Sequence, residues 1–139
     1  MAVTKVLLDS GPLVGFVNET DQHHSWALEI WNTLYQPLWT CEAVLSETIF
    51  LLQSDGVAID SLLELFEREL VKIDFNVSSH QPEVWELLRK YADQPMSLAD
   101  ACLVRMAELH ERSQVFTTDK DFKVYRRNGR GIIPLLAPY

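Results

Sequence analysis

The apolar positions of the chain begin as an unbroken run. From Val3 to Leu8 the residues are largely β-branched or leucine, the length and character of a strand buried on both faces, and Asp9 stands at its carboxyl end. The period then changes. Trp26, Ala27, Ile30, Trp31 and Leu34 recur at helical spacing behind Asp21, a candidate cap, and ahead of Pro37, which predicts a helix from Asp21 to about Tyr35. Pro37 to Thr40 reads as a short second strand. Cys41 to Gln53 reads as a helix stopped at Ser54-Asp55-Gly56. Val57 to Glu69 reads as another, with Leu62, Leu63, Leu65 and Phe66 inward and Asp60, Glu64 and Glu67 wet. Leu70 to Phe75 is expected to form a third strand and His80 to Ala92 a helix, and Pro95 precedes a longer helix from about Leu98 to Glu111. A fourth strand at Val115 to Thr117, a short helix at Lys120 to Arg127, a turn at Gly129-Arg130-Gly131 and an apolar run from Ile132 to Leu136 complete the pattern.

Strands and helices thus alternate without repeats or low-complexity linkers. That order predicts an α/β fold whose parallel sheet is covered by helices on both faces. With 139 residues, 47% of them hydrophobic, the chain can build one core, and a single domain over residues 1–139 is expected. Cys41 and Cys102 lie far apart, form no CxxC spacing and are expected to be reduced core residues. The apolar run before Asp9 is far too short for a signal peptide or a membrane span, so a cytoplasmic protein with no membrane partner is expected.

A formal charge of -8 argues against a general affinity for nucleic acid, whose phosphates are neutralised by Lys and Arg. The charge is unevenly placed, however. Residues 1–104 hold 16 acids and 5 bases, whereas residues 105–139 hold 4 acids and 7 bases. Arg112, Lys120, Lys123, Arg126, Arg127 and Arg130 therefore form a basic strip, which charge alone would assign to a solvated face.

In open α/β sheets, ligands bind beyond the carboxyl ends of the strands, near the point where strand order reverses. Asp9 and Asp119 each follow an apolar strand run. Taken singly, either is more simply a helix cap. Glu47 is harder to explain that way, because its neighbours at helical spacing are Ala43, Val44, Phe50 and Leu51, which predicts that it points inward and needs a cation or hydrogen-bond partner. Asp100 sits similarly among Met96, Leu103 and Val104, although Ser97-Leu98-Ala99-Asp100 also resembles a capping box. An α/β arrangement could bring all four acids to one end of the sheet. A set of carboxylates without Cys or His suits Mg²⁺ or Mn²⁺ rather than zinc, and His23, His24, His80 and His110 show no zinc-ligand spacing.

The order and setting of these acids resemble the PIN-domain family, especially its VapC-type toxin ribonucleases. The resemblance is carried by Val6-Leu7-Leu8-Asp9-Ser10-Gly11, by Asp21, His24 and Ala27, by Leu45-Ser46-Glu47, by Ser97-Leu98-Ala99-Asp100-Ala101 and by Thr117-Thr118-Asp119-Lys120-Asp121-Phe122. It implies a three-layer α/β/α fold with a five-stranded parallel sheet in the order 3-2-1-4-5. It implies Asp9, Glu47, Asp100 and Asp119 as catalytic acids around one or two Mg²⁺ or Mn²⁺ ions, Ser10 and Thr117 as supporting hydroxyls, and Asp121 as an outer acid. Lys120, Lys123, Arg126 and Arg127 would then position phosphate. An RNA substrate, a homodimer and an antitoxin partner also follow from the resemblance, with Trp26, Trp31, Trp39 and Trp85 as candidates to line the antitoxin's groove. A phosphatase or receiver domain with an Asp after its first strand fits less well, since Asp9 is followed by Ser10-Gly11 and no acidic pair precedes it. A non-catalytic module with the same fold is the remaining alternative.

Overall fold

The computed structural model describes residues 4–139. Four strands follow in the order expected: β1 (Lys5–Leu8), β2 (Leu38–Thr40), β3 (Val71–Ile73) and β4 (Ser113–Phe116). Val3, expected to begin the first of them, lies outside the described residues. Val6, Leu7 and Leu8 are all buried, which is why the run shows no polar alternation. β1 pairs in parallel with β2 on one side and β4 on the other, and β3 lies beyond β2. Past β4 a two-residue hairpin, β5 (Arg126–Arg127) with β6 (Gly131–Ile132), comes before β7 (Leu135–Leu136), which joins the sheet beside β4. The main sheet is therefore parallel and runs β3-β2-β1-β4-β7, the expected 3-2-1-4-5 with β7 as its fifth strand.

The hairpin replaces an expected helix. Only Lys120–Lys123 forms a helical turn, of the 3₁₀ type, and Arg126 and Arg127 are extended. Asn128 and Gly129 follow with φ of 52° and 85°, left-handed values that Asn and Gly tolerate best and that reverse the chain into β6.

A second departure lies after β1. Helix α1 (Ser10–Val17) occupies a stretch whose sequence offers no amphipathic period, because Ser10, Pro12, Leu13, Val14 and Gly15 are all buried and leave no wet face to alternate with. Pro12 is tolerated because it falls in the first turn, where backbone N–H groups have no partner within the helix. Helix α2 (His24–Trp31) is shorter than expected at both ends. Asp21 does not cap it; its carboxylate accepts from the backbone N–H of His23 at 2.9 Å and holds the turn leading in.

Helices α3 (Glu42–Ser54), α4 (Asp60–Glu67), α5 (Gln81–Lys90) and α6 (Leu98–Leu109) match the expected elements to within a few residues. In α4 the apolar side narrows to Leu62 and Leu65, and Leu63 is exposed. Trp31 is a core residue, stacked on Phe16 at 4.0 Å, and Trp26 and Trp31 meet Phe116 of β4 edge-on at 5.3 and 6.2 Å. These contacts seat α1 and α2 against the centre of the sheet. Cys41 and Cys102 are free thiols and buried, as expected. Among the described residues, no helix is long and apolar enough to cross a membrane.

Candidate active site

β1 and β4 are neighbours in register, Leu8 opposite Phe116, so the residues that follow them emerge side by side. The backbone N–H of Asp9 donates to the carbonyl of Phe116 at 3.0 Å, which carries the pairing one residue past the strands. Thr40, at the end of β2, donates to the carbonyl of Leu8 at 2.8 Å and ties in the third neighbouring chain. The sheet thus ends here in a rigid rim, at the point where strand order reverses.

Asp9 is buried on this rim, and both of its oxygens accept hydrogen bonds. Its Oδ1 caps α1, accepting from the N–H of Ser10 at 2.8 Å, while Oδ2 accepts from the hydroxyl of Thr117 at 2.7 Å. Thr117, itself fully buried, also accepts from the N–H of Asp119 at 2.9 Å and so links the two acids that end β1 and β4. Asp119 caps the 3₁₀ turn through Oδ1, which accepts from the N–H of Asp121 at 2.9 Å. On the other side the Ser10 hydroxyl donates to Glu47 Oε1 at 2.6 Å. Glu47, Ser10, Asp9, Thr117 and Asp119 therefore lie along one connected path, each acid joined to the next through a hydroxyl-bearing residue.

The inward orientation expected for Glu47 needs correcting. The buried side of α3 is Val44, Thr48 and Leu52, one turn apart, whereas Phe50 is 68% exposed and Leu51 38% exposed. Glu47 is half-buried and reaches the site over the start of α1 rather than through the core.

Asp100 enters from α6. Ser97 and Asp100 form a reciprocal capping box, with the N–H of Asp100 donating to Ser97 Oγ at 3.0 Å and a longer 3.4 Å return bond from the N–H of Ser97 to Oδ2. The same Oδ2 accepts from the hydroxyl of Tyr125 at 2.9 Å. Tyr125 is fully buried and was missed in the sequence, hidden in a basic stretch; its spacing of three from buried Phe122 is the one local sign that this stretch has an inner face.

Electrostatics links the four acids. Burial pushes the Asp9 carboxyl up to about 7, nearby Asp100 and Glu47 push in the same direction, and the hydrogen bonds from Thr117 and Ser10 oppose them. Burial also raises Asp100, to which Asp119 adds, while Tyr125 and Ser97 pull it down. Tyr125 in turn is held well above the usual phenol range by burial and by Asp100, so it remains a donor. Two acids that resist ionisation because they are buried beside other acids are a good fit to a divalent cation, which would offset that repulsion with an all-oxygen donor set. Among the described residues no three acidic, His or Cys side chains already converge as a cage. Hydroxyls space the acids instead, and the bonds noted above leave Asp100 Oδ1, Asp119 Oδ2 and Glu47 Oε2 uncommitted.

The four phosphate-positioning candidates of the basic strip divide into two pairs. Lys120 and Lys123 are exposed on the turn that Asp119 caps. Arg126 and Arg127 are half-buried and turned to the backbone: Arg126 donates to the carbonyls of Lys123, Val124 and Tyr125 at 2.6, 3.1 and 3.0 Å, and Arg127 to that of Ala107 at 3.3 Å. Asp121 stays on the turn, half-buried, with its N–H on Asp119.

A groove of about 720 Å³ adjoins Glu47, between α3 and the start of α6, and is lined among others by Ala43, Phe50, Val77, Leu98 and Ala99. None of the tryptophans lines it: Trp31 is core, Trp26 and Trp39 are half-buried, and Trp85 is exposed on α5.

The sequence over residues 6–128 matches the family model described as the PIN domain. The chain belongs to the PIN-domain family. Among solved structures this PIN domain is similar to that of Mycobacterium tuberculosis VapC20, described as a sarcin-ricin loop cleaving toxin, with a TM-score of 0.75 and 20% identity over 86% of this chain and 94% of that one. At that identity the likeness is one of fold. No curated protein matches the sequence.

Proposed function

We propose that this PIN domain is a metal-dependent endoribonuclease, and that it serves as the toxin of a toxin–antitoxin pair. The observation that supports the first part is the hydrogen-bonded path that joins Glu47, Asp9 and Asp119 through Ser10 and Thr117 at the carboxyl ends of β1 and β4, with Asp100 close enough to raise Asp9 and to be raised by Asp119. These four residues would hold Mg²⁺ or Mn²⁺, whose chemistry when bound is to act as a Lewis acid toward a phosphate and to make water a better nucleophile near neutral pH.

The chain's own residues set the geometry. Ser10 and Thr117 orient Glu47 and Asp9 by donating to them, and Tyr125 orients Asp100. Lys120 and Lys123, exposed beside Asp119, are assigned to the RNA phosphates that the acids would otherwise repel. Arg126 and Arg127 are assigned to holding the hairpin and the turn through the carbonyls they already bond.

The toxin part is supported by the fold shared with VapC20 and by the apolar groove that opens beside Glu47. Such a groove suits an antitoxin segment with apolar side chains and a basic group directed at the acids. A homodimer belongs to the same reading and is tested by sedimentation of the free protein.

The deciding experiment is cleavage of a mixed RNA pool by purified protein in Mg²⁺, Mn²⁺ or EDTA, beside Asp9→Asn. Metal-dependent cutting that is lost in EDTA and in the variant supports the nuclease and its site together. Absence of cutting by folded protein in every metal, with no Mn²⁺ bound in calorimetry, would sink it.

A further inference from the structure

The basic strip poses a physical problem. A lysine on an exposed turn has a flexible four-carbon stem and a strongly hydrated ammonium, so proximity alone does not hold it at a site. Lys123 is an exception here. Its Nζ lies 4.3 Å from the centroid of the Tyr139 ring, within cation–π range. Tyr139 is itself tied down at the same place, its hydroxyl donating to the backbone carbonyl of Asp119 at 2.6 Å. The ring therefore sits on the loop that carries one of the four acids and underlies the ammonium that neighbours it. With 39% of its surface exposed, Tyr139 is at the edge of the site and not in the core. It also lies beyond residue 128, where the match to the family model ends.

We infer that Tyr139 is a substrate-positioning residue that holds the Lys123 ammonium beside the acidic site, where it meets a phosphate of bound RNA next to the one that is cut. The role rests on the nuclease reading above. Its physical content is that an aromatic ring fixed to the Asp119 carbonyl removes the entropy an unrestrained lysine would lose on meeting a phosphate, so the contact strengthens substrate binding and leaves the chemical step alone.

The test compares the natural protein with Tyr139→Phe, Tyr139→Leu, Lys123→Gln and the double variant Tyr139→Leu/Lys123→Gln. Two readouts are taken. The first needs no activity: in protein reductively methylated with ¹³C, the Lys123 methyl resonance, assigned by its loss in Lys123→Gln, carries a ring-current shift that Tyr139→Leu removes. The second is steady-state cleavage of a short single-stranded RNA in Mn²⁺ at several salt concentrations. Tyr139→Leu should raise KM roughly 3- to 10-fold with kcat within about twofold. Lys123→Gln should lower the salt slope by about 0.7, the share of one phosphate contact on a single strand. Tyr139→Phe, which keeps the ring but loses its anchor on the Asp119 carbonyl, should give a KM between those of the natural protein and Tyr139→Leu, and the double variant should be no worse than Lys123→Gln. A Lys123 resonance that ignores Tyr139→Leu overturns the inference, as does a double variant whose KM defects multiply in full or a Tyr139→Leu defect confined to kcat. Natural protein that cuts no RNA overturns the nuclease reading and this role together. Cutting that Tyr139→Leu leaves unchanged overturns this role alone.

Discussion

Replacing Asp9 by Asn should make the metal-free protein more stable at neutral pH while removing the function proposed for it. In the unfolded chain an Asp carboxyl ionises near 3.8, whereas in the fold Asp9 is raised to about 7 by burial and by its acidic neighbours. Below pH 3.8 both states hold the proton and the group contributes no difference. Between 3.8 and 7 the unfolded chain has lost the proton and the folded one retains it, so stability falls as pH rises. Above 7 both are ionised and the loss is complete, at about 4 kcal/mol by the usual 1.36 kcal/mol per pKa unit. Asn removes that ionisation and keeps a carbonyl for the Ser10 N–H, with an amide that the Thr117 oxygen can accept from. The assay is urea unfolding in EDTA from pH 5 to pH 8. The natural protein should lose on the order of 2–4 kcal/mol over that range, and Asp9→Asn much less, the remainder coming from Asp100. At pH 8 the variant should therefore be the more stable of the two, and added Mn²⁺ should stabilise only the natural protein. A natural protein whose stability is flat or rising from pH 5 to pH 8, or an Asp9→Asn variant less stable at pH 8 without metal, would refute the reasoning.

Other residues of the rim make separable predictions. Thr117→Val keeps the shape but strands the N–H of Asp119 and removes the donor to Asp9, and should cost about 2 kcal/mol in urea unfolding while moving the Asp9 titration upward by NMR. Tyr125→Phe removes the buried donor to Asp100, so the acid limb of the pH–rate profile should move to higher pH and Mn²⁺ affinity should fall roughly 10-fold; an unmoved profile would show that the bond is only structural. Gly11→Ala places a methyl group against the Thr118 hydroxyl and 3.1 Å from its Cβ, between α1 and the end of β4. It should lower stability by about 1–3 kcal/mol, part of which Thr118→Ala restores when the two are combined.

Read in sequence, Asp9, Asp100 and Asp119 each posed a choice between helix cap and ligand. In the fold all three cap, and for Asp119 the cap takes a single oxygen, so capping does not bar the ligand role proposed for it. Asp9 caps α1 with one oxygen and faces Thr117 with the other, and Asp119 caps its turn with Oδ1 alone. Glu47 was singled out as an acid among apolar neighbours, but two of those neighbours, Phe50 and Leu51, are exposed. Periodicity cannot tell an apolar residue in the core from one that lines a groove beside a site.

What the sequence determined by itself is what local chemistry decides: the apolar runs of the central strands, the helices with one dry stripe, the Ser97 cap, and the positions of Asp9, Asp100 and Asp119 at the ends or starts of those elements. Tertiary structure alone decided the rest. α1 is buried almost all round and has no period to read, and the chain from Lys120 onward turns into a hairpin because Asn128 and Gly129 accept positive φ. Tyr125 and Tyr139 meet Asp100 and the Asp119 carbonyl across 25 and 20 residues of chain. Those hydroxyls have no local partner that would announce them. Their roles exist only once the parallel order of β1 and β4 has brought the ends of distant segments to one rim, since a hydrogen bond between remote residues is written in the packing and not in the spacing of the chain.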